Sequence, residues 1–176
     1  MIPSDHFVRF YNEVFKFLDE RGGLEGYYKE ISRKQERHCL ELFKSKGLQG
    51  VYEYYQRIYK EENCQGRLEL KEHELVLVME CCPSLSKVLN NDATASPKYC
   101  LHCPGWTIPL YQKAGLFQIF DLMELDKPHC CEWILDDLDV AKARYRAIIA
   151  AIRQDPTAPI STPPRLLVSD ERIRLA

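Results

Sequence analysis

The chain has 176 residues, 45% of them apolar and 28% charged, and a net charge of −2. That length suits one domain with a core of its own, and the absence of a basic stripe excludes nucleic acid as a favoured partner. The longest apolar runs fall far short of the roughly 20 residues that a membrane helix needs.

The opening stretch, MIPSDHFVRFYNEVF, alternates apolar and charged residues and reads as neither a secretory signal nor a transit peptide. A cytoplasmic protein is expected. Ser4 is placed to cap a first helix, with Phe7, Phe10, Val14, Phe17 and Leu18 on one face. Gly22 and Gly23 stop it. A second helix is predicted from Leu24 to Lys46, with Tyr27, Ile31, His38, Leu42 and Ser45 near one line, and Gly47 ends it. A third carries Val51, Tyr55, Ile58 and Tyr59 at helical spacing. Tyr52, Tyr54, Tyr55 and Tyr59 form an aromatic group, read as packing between helices ahead of a ligand cage.

The period then changes to two. Arg67 to Glu80 reads as a hairpin, with Leu75, Leu77 and Met79 on one face of its second arm. A short helix through Leu85, Val88 and Leu89 follows Pro83, and the stretch from Asn90 to Pro97 is a loop. Thr107 is placed to cap the next helix, with Pro109 in its first turn and Gly115 at its end. LFQIFDLMEL and HCCEWILDD read as two strands joined near 126–128. A last helix starts near Asp139 and buries Tyr145, Ile148, Ile149 and Ile152. The four prolines after Asp155 predict a mostly disordered tail over 154–176, in which Leu166, Leu167 and Val168 are given little prospect of docking. The expected fold is α+β over residues 1–153: three N-terminal helices, an antiparallel hairpin, a helix, a second antiparallel hairpin and a C-terminal helix.

Eight cysteines are many for such a chain. With no signal peptide expected, metal or thiol chemistry is preferred to a disulfide framework. Cys39 and Cys64 read as small buried residues. The others form three pairs: Cys81 and Cys82, Cys100 and Cys103, Cys130 and Cys131. Cys100 and Cys103 make a C-x-x-C, a spacing that lets two thiolates reach one zinc. A thioredoxin-type pair, a haem attachment and an iron–sulfur cluster each call for a context or spacing that is missing. Neighbours on a strand point to opposite faces, so one member of each adjacent pair is expected at the site. Cys81 is in phase with Leu75, Leu77 and Met79, which leaves Cys82. Cys130 and Cys131 are barely separable, and Cys131 is taken. The expected zinc ligands are thus Cys82, Cys100, Cys103 and Cys131, with Cys130, His102 and His129 as substitutes.

Cys103 to Ile134, reading CPGWTIPLYQKAGLFQIFDLMELDKPHCCEWI, resembles the C-terminal half of the 4-vinyl reductase-like domains and of the related 2-amino-thiazoline-4-carboxylate hydrolase family. Cys131-Glu132-Trp133 matches that family's closing Cys-x-aromatic. Asp121 stands where the family has Glu, Glu124 replaces its first cysteine, and Pro128 falls near its Gly-Asp turn. ECCPS followed by YCLHC is also similar to bacterial proteins that carry a Cys-Pro-Ser and a Cys-x-His-Cys. The resemblance implies a fold that holds small or hydrophobic ligands, often dimerises and is suspected of metal binding. Hydrolysis belongs to one branch, which often has Cys where this chain has Glu124, so catalysis is not carried over.

Two functions follow as expectations. One is a zinc-tied binding module with a small-molecule pocket. The other is a hydrolase of a C–N or C–S bond, using metal-bound water or the Cys103 thiolate, His102 or His129 as base, and Glu132 or Asp121 as acid. No Gly-rich phosphate loop, G-x-S-x-G or H-E-x-x-H is present, so no nucleotide cofactor is indicated.

Overall fold

The computed structural model describes residues 3–91, 94–122, 128–154 and 166–175. Helix α1 (Pro3–Glu20) ends where Gly22 adopts φ 67°, as the glycine pair predicts. Ser4 lies inside this helix rather than at its cap. The face turned inward matches the predicted one only at Leu18 and, in part, Val14. Phe15 is 1% exposed and packs with Val8 and Leu18. Phe7, Phe10 and Phe17 are 64%, 63% and 53% exposed. Asn12, fully buried beside Phe15, binds the loop ahead of the C-x-x-C by donating to the Thr94 carbonyl and accepting from the Ser96 N–H.

The second and third predicted helices are one element, α2 (Leu24–Glu61), broken at Gly47 with φ 55° and ψ −135°. Other residues rarely adopt that backbone, so the glycine sets the kink. The buried line of the first half is Tyr28, Ser32, Cys39 and Phe43, shifted one position from the predicted line; His38 and Ser45 face solvent.

Strands β1 (Gln65–Leu70) and β2 (Glu74–Cys81) form the predicted hairpin, closed by the Lys71 N–H on the Glu74 carbonyl. Helix α3 (Pro83–Asn90) has Pro83 at its start and Cys82 as its cap; the Cys82 Sγ accepts from the Leu85 N–H at 3.5 Å. A 3-10 turn (Tyr99–Leu101) runs into α4 (His102–Ala114). Thr107 and Pro109 are therefore within this helix, not at its start. The Thr107 hydroxyl turns back to the Cys103 carbonyl at 3.0 Å, the mid-helix alternative to capping. Gly115 ends the helix as expected, at φ 77°.

The sheet is antiparallel and five-stranded, in the order β1-β2-β4-β3-β5, with β3 (Phe117–Asp121), β4 (Cys130–Leu135) and β5 (Leu166–Val168). Most of the predicted connection between β3 and β4, and Glu124, lie outside the described residues. The two predicted hairpins join through β2 and β4. The fifth strand corrects the expected tail: Leu166–Val168 pair with Ile119–Asp121, and Ile173 beyond them is fully buried. A Leu-Leu-Val run with an open sheet edge beside it buries apolar surface that a free tail would leave in water.

Direct cross-strand partners share a face. Leu75, Leu77 and Met79 of β2 thus stand with Ile134, Glu132 and Cys130 of β4 and with Gln118 and Phe120 of β3. This face meets α2 and α4 in a core that includes Cys39, Phe43, Leu110 and Tyr111. The opposite face carries Ile119, Trp133 and Leu135, covered by α5 (Leu138–Gln154) and the C-terminal segment. Asp137 caps α5 by accepting from the Asp139 and Val140 N–H groups at 2.8 and 3.0 Å. No helix among the described residues is long and apolar enough to cross a membrane.

Helix α4 reaches α2 through Gly105. A Cβ there would lie 2.6 Å from Cδ2 of the buried Tyr28 ring. Gly105→Ala is expected to lower stability by about 1–3 kcal/mol through overpacking, read as a shifted urea midpoint with unchanged slope. An unshifted midpoint would show that the two helices separate freely at this point.

Candidate functional site

The sheet face and the two helices α2 and α4 do not close fully on each other. Between them lies a cavity of ≈ 300 Å³. Its walls are aromatic and aliphatic: Phe43, Tyr54 and Tyr59 from α2, Trp106 from α4, Met79 and Phe120 from the sheet. The volume equals about ten waters at roughly 30 Å³ each, which is the low end for a small-molecule pocket.

Among the described residues, one acidic side chain stands on these walls, Glu132. It is 6% exposed, and burial lifts its carboxyl to a pKa of about 7 against the pull of hydrogen bonds from Gln118 and Tyr111. Gln118 Nε2 donates to Glu132 Oε1 at 2.5 Å and to Thr107 Oγ1 at 2.8 Å. The Tyr111 hydroxyl stands 3.2 Å from that of Tyr55. Gln118 and Tyr111 are fully buried. An acid held by two fixed neighbours in an apolar hollow has a perturbed pKa, a common mark of a functional site. Two buried polar atoms of this region, Trp106 Nε1 and Gln118 Oε1, have no hydrogen-bond partner among the described residues.

The cysteines divide by face. Cys103 and Cys130 line the cavity, as does Cys39, whose burial raises it to about 11. Register decides between the adjacent cysteines: Cys130 opposes Met79 on the cavity face, and Cys131 opposes Val78 on the other. The expected ligand Cys131 thus lies off the cavity face, and its substitute Cys130 lies on it. Cys131 instead feels the charge of Asp121, which opposes it on β3, so Asp121 is also off the cavity face. Cys81 sits partly buried, its Sγ 3.2 Å from Ser86 Oγ. Cys82, Cys100, Cys103 and Cys130 form the neighbourhood. Burial raises all four thiols, Cys100 to about 12, and a charge on Cys82 raises the other three further. All eight cysteines are free, and among the described residues no three His, Cys, Asp or Glu side chains are gathered as a metal ion's ligands.

His102 and Cys103 open α4 together. Cys103 Sγ lies 3.3 Å from His102 Nε2, and His102 Nδ1 donates to the Tyr99 carbonyl at 2.5 Å. With Nδ1 as donor, Nε2 is the acceptor, so the thiol donates. Burial drives the two apart: the imidazole falls to about 4 and the thiol rises well above its usual range. The pair rests neutral, unlike the thiolate–imidazolium of an activated nucleophile. His129, partly buried ahead of β4, is not on the cavity wall.

Glu132 and Cys103 are legible as candidates in the sequence, and Tyr54, Tyr55 and Tyr59, read there as helix packing, also line the cavity. Gln118, Tyr111 and Trp106 are not legible there. The one signal for Gln118 is an amide in an otherwise apolar strand run, FQIF. Comparison with family models, with curated proteins and with solved structures gives no match to this chain.

Proposed function

We propose that the chain is a small-molecule-binding domain, with the hollow between α2, α4 and the sheet as its binding cavity. The observation that carries this reading is the buried Glu132 on an aromatic-walled cavity, its orientation fixed by Gln118 and Tyr111. A core with no use for the space would fill it, because voids cost packing energy. The resemblance to the 4-vinyl reductase-like domains points the same way. Indole is a suitable first probe, being flat and apolar with one N–H donor. It is expected to raise the melting temperature of the wild type and to leave a folded Met79→Trp variant unmoved, because the larger ring occupies the cavity. Equal shifts in both proteins would place the binding elsewhere.

Zinc on Cys82, Cys100, Cys103 and Cys130, thiols that would have to draw together from their positions here, is the second reading. It is favoured by thiols from β4, the cap of α3 and the start of α4 whose charges act on one another. Bound there, zinc would hold these elements together and contribute to folding. About one zinc per chain is expected in purified protein, lost in Cys100→Ser/Cys103→Ser, with a lower melting temperature on chelation. Protein without metal whose melting is unmoved by chelator would remove this reading. Hydrolysis of a C–N or C–S bond by Cys103 and His102 needs a thiolate, and burial opposes it. Rapid, selective alkylation of Cys103 would favour that chemistry instead.

A further inference from the structure

We propose that the cavity takes an organic cation: a compact aromatic or aliphatic body bearing an ammonium group that pairs with Glu132. This rests on the binding reading above and names its ligand class.

Two observations carry it. First, among the described residues, Glu132 is the one acidic side chain on walls that are otherwise apolar or uncharged, and no cation among them acts on it. Its two neighbours, the Gln118 amide and the Tyr111 hydroxyl, are neutral. A buried acid without a counter-charge is the electrostatic complement of a cationic ligand, which would supply the missing partner inside a water-poor space. Second, the walls are rich in π faces. Phe43, Tyr54, Tyr59, Trp106 and Phe120 surround the hollow, and the charge of Glu132 is felt at Tyr55, Tyr59 and Tyr111. Aromatic rings around a carboxylate are the composition that recognises ammonium groups, by cation–π attraction together with an ion pair. An anionic ligand would meet Glu132 unfavourably. The Arg57 guanidinium lies 5.6 Å over the Tyr54 ring on an exposed side chain that ion-pairs with Glu61. It provides a cation on the outside of the wall, not within the cavity.

The size of the hollow limits the ligand to one small ring system or a short chain with its head group. A primary ammonium would donate to the carboxylate; a quaternary one would rely on the rings alone.

The test is a calorimetric titration of the full chain with protonated 2-phenylethylamine, its neutral isostere 2-phenylethanol, and phenyltrimethylammonium. The same titrations are made on Glu132→Gln, with folding checked by circular dichroism. The amine is expected to bind the wild type about tenfold or more tighter than the alcohol. In Glu132→Gln that preference should collapse, the amine losing more affinity than the alcohol. Phenyltrimethylammonium at or above the amine would assign the recognition mainly to the rings, the amine ahead mainly to the carboxylate; both support a cation site. If Glu132→Gln fails to fold, the amine-to-alcohol ratio in wild type and in Tyr59→Leu decides, and the ratio should fall in the latter. Alcohol binding as tightly as the amine in wild type overturns the cation proposal and leaves the binding cavity standing. No binding by any of the three, together with no stabilisation by indole, overturns both.

Discussion

Phe15→Ala is expected to be the most damaging single truncation in the N-terminal half, lowering stability by about 3–5 kcal/mol. Phe15 is 1% exposed and sits at the meeting point of α1, α2 and the C-x-x-C turn. Its ring lies 5.7 Å from Tyr28, edge to face, and 5.5 Å from both Tyr99 and His102. Removing it opens a cavity lined by large rings, which cannot collapse without moving α1 or the turn. The turn carries Cys100 and orients His102 through the Tyr99 carbonyl, so the loss reaches the site as well as the core. The check is urea unfolding of Phe15→Ala beside Phe17→Ala. Phe17, 53% exposed, should cost little, within about 0.5 kcal/mol as surface changes do. Equal costs at the two positions would mean that α1 packs through the face drawn here as outer.

The second large effect is expected at Arg144. Glu74, 5% exposed at the start of β2, accepts two hydrogen bonds from its guanidinium, at 2.5 and 2.8 Å. The pair fastens α5 to the hairpin end of β2, and Lys71 adds a weaker contact at 3.2 Å. Arg144→Met leaves a buried carboxylate without its main partner. Breaking a fully buried pair costs about 3–5 kcal/mol, and the part-exposed arginine brings this to about 2–3 kcal/mol. Glu74→Leu/Arg144→Met should regain most of the loss, because the double change removes the stranded charge along with its partner. A double variant no better than Arg144→Met would show that the arginine acts through its aliphatic packing.

Much of the fold is legible along the chain because local rules and tertiary packing agree there. Period-two alternation in β1, the Gly22–Gly23 stop, Pro83 at the start of α3 and Gly115 at the end of α4 all match the structure. The sequence misleads where two patterns compete. α1 has apolar residues on two stripes, and the one with more phenylalanines is exposed, since burial follows the neighbours that α2 and α3 provide. Thr107 and Pro109 imitate a helix start, but the helix begins five residues before Thr107 after a 3-10 turn that carries no cap signal. Cys130 and Cys131 are chemically identical neighbours. Only the pairing of Cys130 with Met79 across strands puts one of them on the cavity face. Glu132 is a candidate acid in the sequence, but its burial depends on Tyr111 and Gln118, contributed by other elements. Cys103 and Glu132 are thus legible singly, while Gln118, Tyr111, Trp106 and the assembly of the site depend on register and helix packing.

The most direct measurement for the binding cavity is intermolecular NOE spectroscopy on the full chain with indole present. NOEs are expected from indole protons to the methyl groups of Leu77, Met79 and Leu110, which line the hollow. NOEs confined to the exposed Phe7, Phe10 and Phe17 of α1, or to α5, would contradict that placement.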